Sequence, residues 1–495
     1  MEMVHKGRLL AAVHSLFSVA TLLLCILAEL CVFVLHRHAS LYLLPVCAML
    51  LLLLRRSGRR ADINLVDFAY LKPPRRLRVT TPALLEHLRL IGCFDDGSVE
   101  FMSKVVEASG MCEETYFPPS LHRIPPSATH ADAVHEAGAL FFPTLDELFA
   151  KTGVPPSAVG ALVVSCSGFC PAPSLASVIV NRYGMRGDVK AFSLSGMGCA
   201  AGVVGVDVAR GVLSAHDGAV QYAVVVSAEI VTVGWYPGKD PSKLLLNCFF
   251  RTGCSAALLS NSNAVAVAPP SNYRLIALTR TNLAADDRGY ASALREEDDE
   301  GITGFTISRS LAGVVRDLLR AHLPALGAEI LPWQEKLRYA AALVQFHFNH
   351  RQSSSKKLPE EDDVHDAVPK PNFLTAAKHL CLPASGMPMI RMLAEGLGVG
   401  DREAEAALGT FQRFGNQSAA SLWYQLAYHE AKGRVRRGDR VWQLGMGSGP
   451  KANSAVWERV AADGDGAAAP GADEGPWGDC IHRFPAREQP RAEFD

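Results

Sequence analysis

Two apolar runs open the chain. Leu9 to Leu35 is broken only by His14, a few Ser and Thr, and Glu29. Leu41 to Leu54 is apolar apart from Tyr42, and His36, Arg37 and His38 separate the two runs. At 1.5 Å per residue the first run is long enough to cross a hydrocarbon core of about 30 Å. The second is short for a span unless Ser40 and the flanking arginines reach back to the interface. A signal peptide would be shorter and would end at a small-residue cleavage site. The pattern favours a two-span transmembrane anchor, about 9–35 and 40–54, over one span plus an interfacial helix. Lys6 and Arg8 precede the pair, and Arg55, Arg56, Arg59 and Arg60 follow it. The positive-inside rule then puts both flanks, and the large domain, on the cytosolic side.

Beyond the anchor, short β-branched runs alternate with helical patterns. Ala161 to Ser165, Gln221 to Ser227 and Ala256 to Ser260 read as buried strands. Glu335 to Val344 and Ser421 to Lys432 read as helices. The alternation predicts an α/β architecture with mostly parallel strands. Arg351 to Asp366 is charge-rich and reads as an exposed loop. The tail, 460–495, is rich in Ala, Gly, Asp and Pro and lacks apolar periodicity, so it is expected to be disordered.

Composition narrows the class. The formal net charge of -1 gives no reason to expect a nucleic-acid partner. Twelve cysteines are scattered through 495 residues, unlike a dense disulfide scaffold, and read as reduced cytosolic thiols. Cys166 and Cys170 have no second pair at metal-ligand spacing, so no metal site is expected.

One cysteine stands out. In Ala191 to Gly202, AFSLSGMGCAAG, Gly196, Gly198 and Gly202 bracket Cys199. Glycines allow a sharp strand-to-helix turn, and a helix N-terminus stabilises a thiolate, the nucleophile of acyl transfer. The plainer alternative is a buried cysteine in a tight turn. Near the C-terminus Asn416, in RFGN, either caps the following helix or donates to a thioester oxygen. Gly445, Gly447 and Gly449 form a glycine loop that lets backbone approach a ligand, without the helix and acidic residue of a dinucleotide site.

Taken together, these residues resemble the plant 3-ketoacyl-CoA synthases, the condensing enzymes of very-long-chain fatty acid elongation. The resemblance runs through LVDFAYLKPP at Leu65 to Pro74, EETYFPPSLHRIPP at Glu113 to Pro126 and SGMGCAAG at Ser195 to Gly202. It continues in NCFFRTG at Asn247 to Gly253, the long RFGN segment at Arg413 to Arg434, and GDRVWQLGMGSGPKANSAVW at Gly438 to Trp457. It implies a thiolase-like fold of duplicated α/β halves, 61–270 and 271–459, behind the anchor at 1–60. It also implies acyl-CoA and malonyl-CoA as substrates, no cofactor, a homo- or heterodimer, and an endoplasmic reticulum membrane with the catalytic domain cytosolic. Cys199 matches the nucleophile and Asn416 the family's asparagine.

The chain departs from the family at its histidines. The usual H-F-C-x-H-A-G-G segment reads here from His379 through Leu380, Cys381, Leu382, Pro383, Ala384 and Ser385 to Gly386. Pro383 holds the catalytic position, Gln412 replaces a histidine before RFGN, and Asn282 replaces another. Proline has no N–H to donate, and losing one such donor costs on the order of 10²–10³ in rate. His379 is the nearby candidate for a substitute base. The expectation is a condensing protein with impaired activity, or an inactive partner that modulates active synthases. A soluble polyketide-type condensing enzyme would lack the anchor.

Overall fold

A computed structural model describes residues 63–215, 221–261, 271–352, 370–462 and 475–485. The two apolar N-terminal runs lie outside the described residues, as does most of the charge-rich stretch after Arg351.

Nine strands form one sheet. They are β1 (Ile63–Tyr70), β2 (Val159–Ser165), β3 (Lys190–Leu194), β4 (Tyr222–Ala228) and β5 (Cys254–Asn261). Then come β6 (Tyr273–Asn282), β7 (His379–Cys381), β8 (Arg440–Gly447) and β9 (Lys451–Arg459). Every residue of β2, β4 and β5 is buried, which explains their unbroken apolar and small-residue runs: both faces are covered.

The spatial order is β7-β8-β9-β6-β1-β5-β4-β2-β3. Reading inward from β2, the N-terminal half has one parallel neighbour (β4), then antiparallel β5 and β1. Reading inward from β7, the C-terminal half has one parallel neighbour (β8), then antiparallel β9 and β6. The two halves therefore repeat one pattern, with β3 as an extra parallel strand on the first. They join where Asn64 and Leu65 of β1 pair with Arg274 and Tyr273 of β6. The expectation of a mostly parallel sheet is corrected: parallel pairs lie only at the two outer ends, and antiparallel pairs fill the middle. Short apolar runs do not encode strand direction, so the sequence pattern could not separate these cases.

Helices sort into layers around these half-sheets. Helix α1 (His130–Thr152) packs on β1 and β5. It starts where Thr129 Oγ1 accepts from Asp132 N and ends at Gly153 in the left-handed region, φ 66°. Helix α2 (Ala201–Ala215) touches β2 and β4 of one half and β8 and β9 of the other. Helix α3 (Leu311–Ile330) covers β6 and β9. Helix α4 (Trp333–Gln352) contains the expected Glu335 to Val344 segment and takes in Arg351, the start of the expected loop. Helix α5 (Glu405–Phe414) is followed by α6 (Ser421–Ala431), which contacts β1, β7 and β8. The result is helix, half-sheet, a central pair α2 and α6, half-sheet, helix. Gly198–Ala215 is apolar enough to cross a membrane by length and composition, but half of it is buried inside this domain. It is a core helix, and its small residues explain why. A Cβ on Gly205 would lie 2.7 Å from Val225 Cγ1.

The tail holds a further difference. Gly475–Trp477 and Ile481–Arg483 form single turns that dock on the domain. Trp477 is fully buried, its Nε1 donates to Tyr424 O at 2.8 Å, and its ring lies 4.9 Å from Phe414 and 5.0 Å from Tyr428. One indole and Phe484 anchor this stretch, too few apolar residues to produce a periodic signal. Trp477→Ala is expected to cost about 3–5 kcal/mol, read as an earlier urea midpoint for the full chain in detergent. An unchanged midpoint would refute the docking.

Candidate active site

Cys199 sits in a single turn, Gly198–Ala200, that runs directly into α2. The turn after β3 needs two left-handed glycines, Gly196 at φ 67° and Gly198 at φ 56°. It is clamped by the C-terminal half. A Cβ on Gly447 would sit 2.1 Å from Met197 O, and one on Gly445 would sit 3.3 Å from Ala200 Cα. The bare backbones of Gly445 and Gly447 therefore admit the turn that carries Cys199. Gly449, φ 60°, turns the chain from β8 into β9.

Asn416 is placed by a knot of contacts around the RFGN motif. Its N–H donates to Phe249 O at 2.9 Å, and Arg251 N donates to Asn416 O at 2.9 Å. Gly415, φ 71°, lets Arg251 pass, since a Cβ there would meet Arg251 Cγ at 2.3 Å. Arg413 pairs with Glu114 at 3.3 Å, which ties the motif to the EETYFPP segment. Arg251 is buried, and burial lowers its pKa to about 10. Asn416 Oδ1 accepts from Ser418 N at 2.8 Å, which leaves its Nδ2 as the donor. Asn416 does not cap α6; that helix follows a turn at Ser418–Ala420.

Ser418 and Glu229 are the site residues that sequence reasoning missed. Ser418 is the one non-glycine residue at positive φ, 54°, among the described residues, a strained conformation of the kind found at functional turns. Its hydroxyl donates to Glu229 Oε2 at 3.4 Å, and its turn packs against the turn that carries Cys199. Glu229 follows β4 and accepts from Gly168 N at 2.7 Å, Ser167 N at 3.2 Å and Cys166 Sγ at 3.6 Å. Burial raises its pKa, and these hydrogen bonds oppose that shift. Ser418 lies inside a motif that was read only for Asn416. Nothing around Glu229 in AEIVTVGWY marks it, because its partners are more than sixty residues distant.

The Cys199 side chain is half-buried. Burial pushes Cys199 up to about 11, with Ser418 pulling down and the Glu229 charge pushing up. Desolvation, the largest cause, disfavours the thiolate at the start of this helix.

The structure does not bring His379 to this site. His379 pairs in register with Val441, six residues before Gly447. At about 3.3 Å per residue that is roughly 20 Å back along the sheet from the nucleophile turn. Its Nε2 lies 3.3 Å from Asp439 Oδ2, and its ring stacks 5.2 Å from His429. Burial lowers its pKa, and the hydrogen bond to Asp439 opposes that shift. His429 bonds Leu380 O at 3.0 Å, and His322 lies between Thr281 and Ser454. Pro383 is buried, just past the point where Gln425 clamps Leu382 N at 2.7 Å and Leu382 O at 2.6 Å. Asn282 ends β6, where its Oδ1 accepts from Ala284 N. Gln412 O accepts from Cys112 N.

A duplicated pair of half-sheets around two central helices, with a cysteine at the start of one and an asparagine before the other, defines a thiolase-like α/β fold. Known structures share this fold. Tetrahydroxynaphthalene synthase of Streptomyces coelicolor, a bacterial type III polyketide synthase, superposes with a TM-score of 0.61 at 16% identity. The match covers 81% of this chain and 100% of that one. CsyB, solved in complex with CoA, superposes at 0.59 and 17% identity over 80% and 100%. The FAE1/Type III polyketide synthase-like profile matches residues 55–348, and the C-terminal profile of 3-oxoacyl-[acyl-carrier-protein] synthase III matches 375–459. The 3-ketoacyl-CoA synthase 4 of Arabidopsis thaliana is 40% identical over 91% of this chain and 83% of its own length. The 3-ketoacyl-CoA synthase 9 of the same plant is 40% identical over 87% and 80%. The chain belongs to the plant 3-ketoacyl-CoA synthase family.

The thiol's environment sets a measurable pH dependence. A folded pKa near 11 means that iodoacetamide labelling of Cys199 should rise about tenfold per pH unit from pH 7 to pH 9.5. A plateau near pH 8.5, followed by mass spectrometry of the Cys199 peptide, would refute this. Glu229→Gln removes a negative charge beside the thiol and should speed labelling at pH 8.

Proposed function

We propose that this chain serves very-long-chain fatty acid elongation as a condensing protein with impaired chemistry. In this reading Cys199 attacks the thioester of a long-chain acyl-CoA. The acyl group moves to sulfur, and CoA leaves with the thiol proton. Malonyl-CoA then loses CO2, and its enolate carbon attacks the Cys199 thioester and expels the thiolate. The product is a 3-ketoacyl-CoA longer by two carbons. Asn416 Nδ2 donates to the thioester or enolate oxygen, a task for which its orientation by Ser418 N suits it.

One observation carries the impairment. The family's imidazole position holds the buried Pro383, and the histidines nearest along the chain bond elsewhere. The thiol then lacks a base and the enolate lacks its second donor. The same reading anchors the chain by residues 9–35 and 40–54 in the endoplasmic reticulum membrane, with the α/β domain in the cytosol.

A second reading has a specific observation behind it. The contacts that build the nucleophile turn and the RFGN knot are complete without the imidazole. An inactive copy of this fold could pair with an active synthase, as a homo- or heterodimer, and modulate it.

The test uses the purified full chain in detergent with a long-chain acyl-CoA and malonyl-CoA. Acylation of Cys199 is expected by intact mass, with CO2 release at least about 10²-fold below an active relative. Pro383→His should recover part of that loss. Release equal to the relative's would overturn the impairment. No acylation and no recovery, with a changed rate in an active synthase on mixing, would favour the partner reading instead.

A further inference from the structure

One surface arginine bridges two loops beside the nucleophile turn. Nη1 of Arg295 donates to Gly168 O at 2.5 Å and Nη2 to Val233 O at 3.2 Å. Gly168 lies in the loop after β2 and Val233 in the loop after β4, so one planar guanidinium spans both. The same two loops are joined from within. Glu229, at the start of the second loop, accepts from Ser167 N and Gly168 N of the first. Gly168 is therefore held on both sides, its N–H by a carboxylate and its C=O by a guanidinium. A Cβ there would lie 3.2 Å from Glu229 Oε1 and 3.3 Å from Arg295 Nη1, which leaves little room for a side chain.

The first loop also touches the turn that carries Cys199. Gly196 N donates to Ser167 O at 3.2 Å, and Ser167 Oγ lies 3.5 Å from Gly198 O. The arginine stands in a hairpin, Ala293–Glu297 paired with Thr303–Ile307. That hairpin is latched at its turn, where Asp298 accepts from Tyr236 Oη at 2.5 Å and from Ile302 N at 2.8 Å. It is also pressed close against the domain, since a Cβ on Gly304 would meet Lys243 Cδ at 2.6 Å. The second loop has its own support: Glu136 of α1 accepts from Val231 N and Thr232 N, each at 2.9 Å.

We propose that Arg295 is a positioning residue: it clamps the Gly168 and Val233 carbonyls and so keeps the Ser167 and Gly168 N–H groups on the Glu229 carboxylate beside the nucleophile turn. Backbone N–H donors favour the charged form of a carboxylate. A charged Glu229 opposes a thiolate at Cys199. Cys166 and Glu136 are further titratable groups that face Glu229. Loosening the clamp lets Glu229 take up a proton more readily and eases ionisation of the thiol. The hairpin thus reaches the nucleophile through two loops. The clamp acts on the thiol itself, whatever substrate the site takes.

The test is iodoacetamide labelling of Cys199 at pH 8 in the full chain in detergent, read by mass spectrometry of its peptide. Arg295→Gln and Arg295→Lys should both label about threefold faster than the unmodified chain, the equivalent of about half a pH unit. Lysine keeps the charge but lacks the planar fork that spans two carbonyls. In a Glu229→Gln background neither substitution should change the rate further. An unchanged or slower rate in both variants would overturn the clamp. So would a change with glutamine that lysine abolishes, which would mark a role of charge alone. Equal gains with and without Glu229 would mark loosened packing and overturn it as well. Acylation of Cys199 by a long-chain acyl-CoA is measured separately; its failure counts against the proposed function and leaves the labelling result standing.

Discussion

The two halves meet where backbone touches backbone at the starts of the central helices. A Cβ on Gly202 would lie 2.7 Å from Ala419 O, and one on Gly447 would lie 2.1 Å from Met197 O. Neither distance is attainable for a real side chain, so a larger residue at either position forces the halves apart. The turns Gly198–Ala200 and Ser418–Ala420 occupy equivalent places, each leading into a central helix. Their contact sets Cys199 against Ser418, and through Ser418 against both Asn416 and Glu229.

That closeness has a chemical consequence. A thiol pressed between two backbones loses water, and the charged form loses more than the neutral one. Here the Glu229 carboxylate adds to the cost of a thiolate. A cationic imidazole would reverse the sign of that interaction. Pro383 carries no such charge, and desolvation holds the Cys199 thiol above its usual pKa.

Residues far apart in sequence converge because their packing is mutual. Gly253 stands where a Cβ would meet Gln417 Cγ at 2.6 Å, and Gly415 stands where one would meet Arg251 Cγ. Arg413 reaches back to Glu114, and Arg251 Nε donates to Thr115 Oγ1 at 3.1 Å. The three motifs around residues 115, 251 and 415 form one support beneath Asn416. Beside it, both amide atoms of Gln417 are buried without a hydrogen-bond partner.

Much of this was legible in the amino-acid sequence. The buried strands at Val159–Ser165 and Tyr222–Ala228 declared themselves by unbroken β-branched runs, and Cys199 by the glycines that its turn requires. The missing histidine could be read from one position, because proline cannot donate. Strand direction could not be read, since parallel and antiparallel core strands bury the same side chains. The placing of His379 also needed the fold: it stands four positions before Pro383, yet an extended chain carries those positions along the sheet and out of reach. Glu229 and Ser418 were silent because their partners are distant in sequence. Sequence spacing reports local conformation, whereas which surfaces face each other, and how much water is left between them, is settled only when the two halves close.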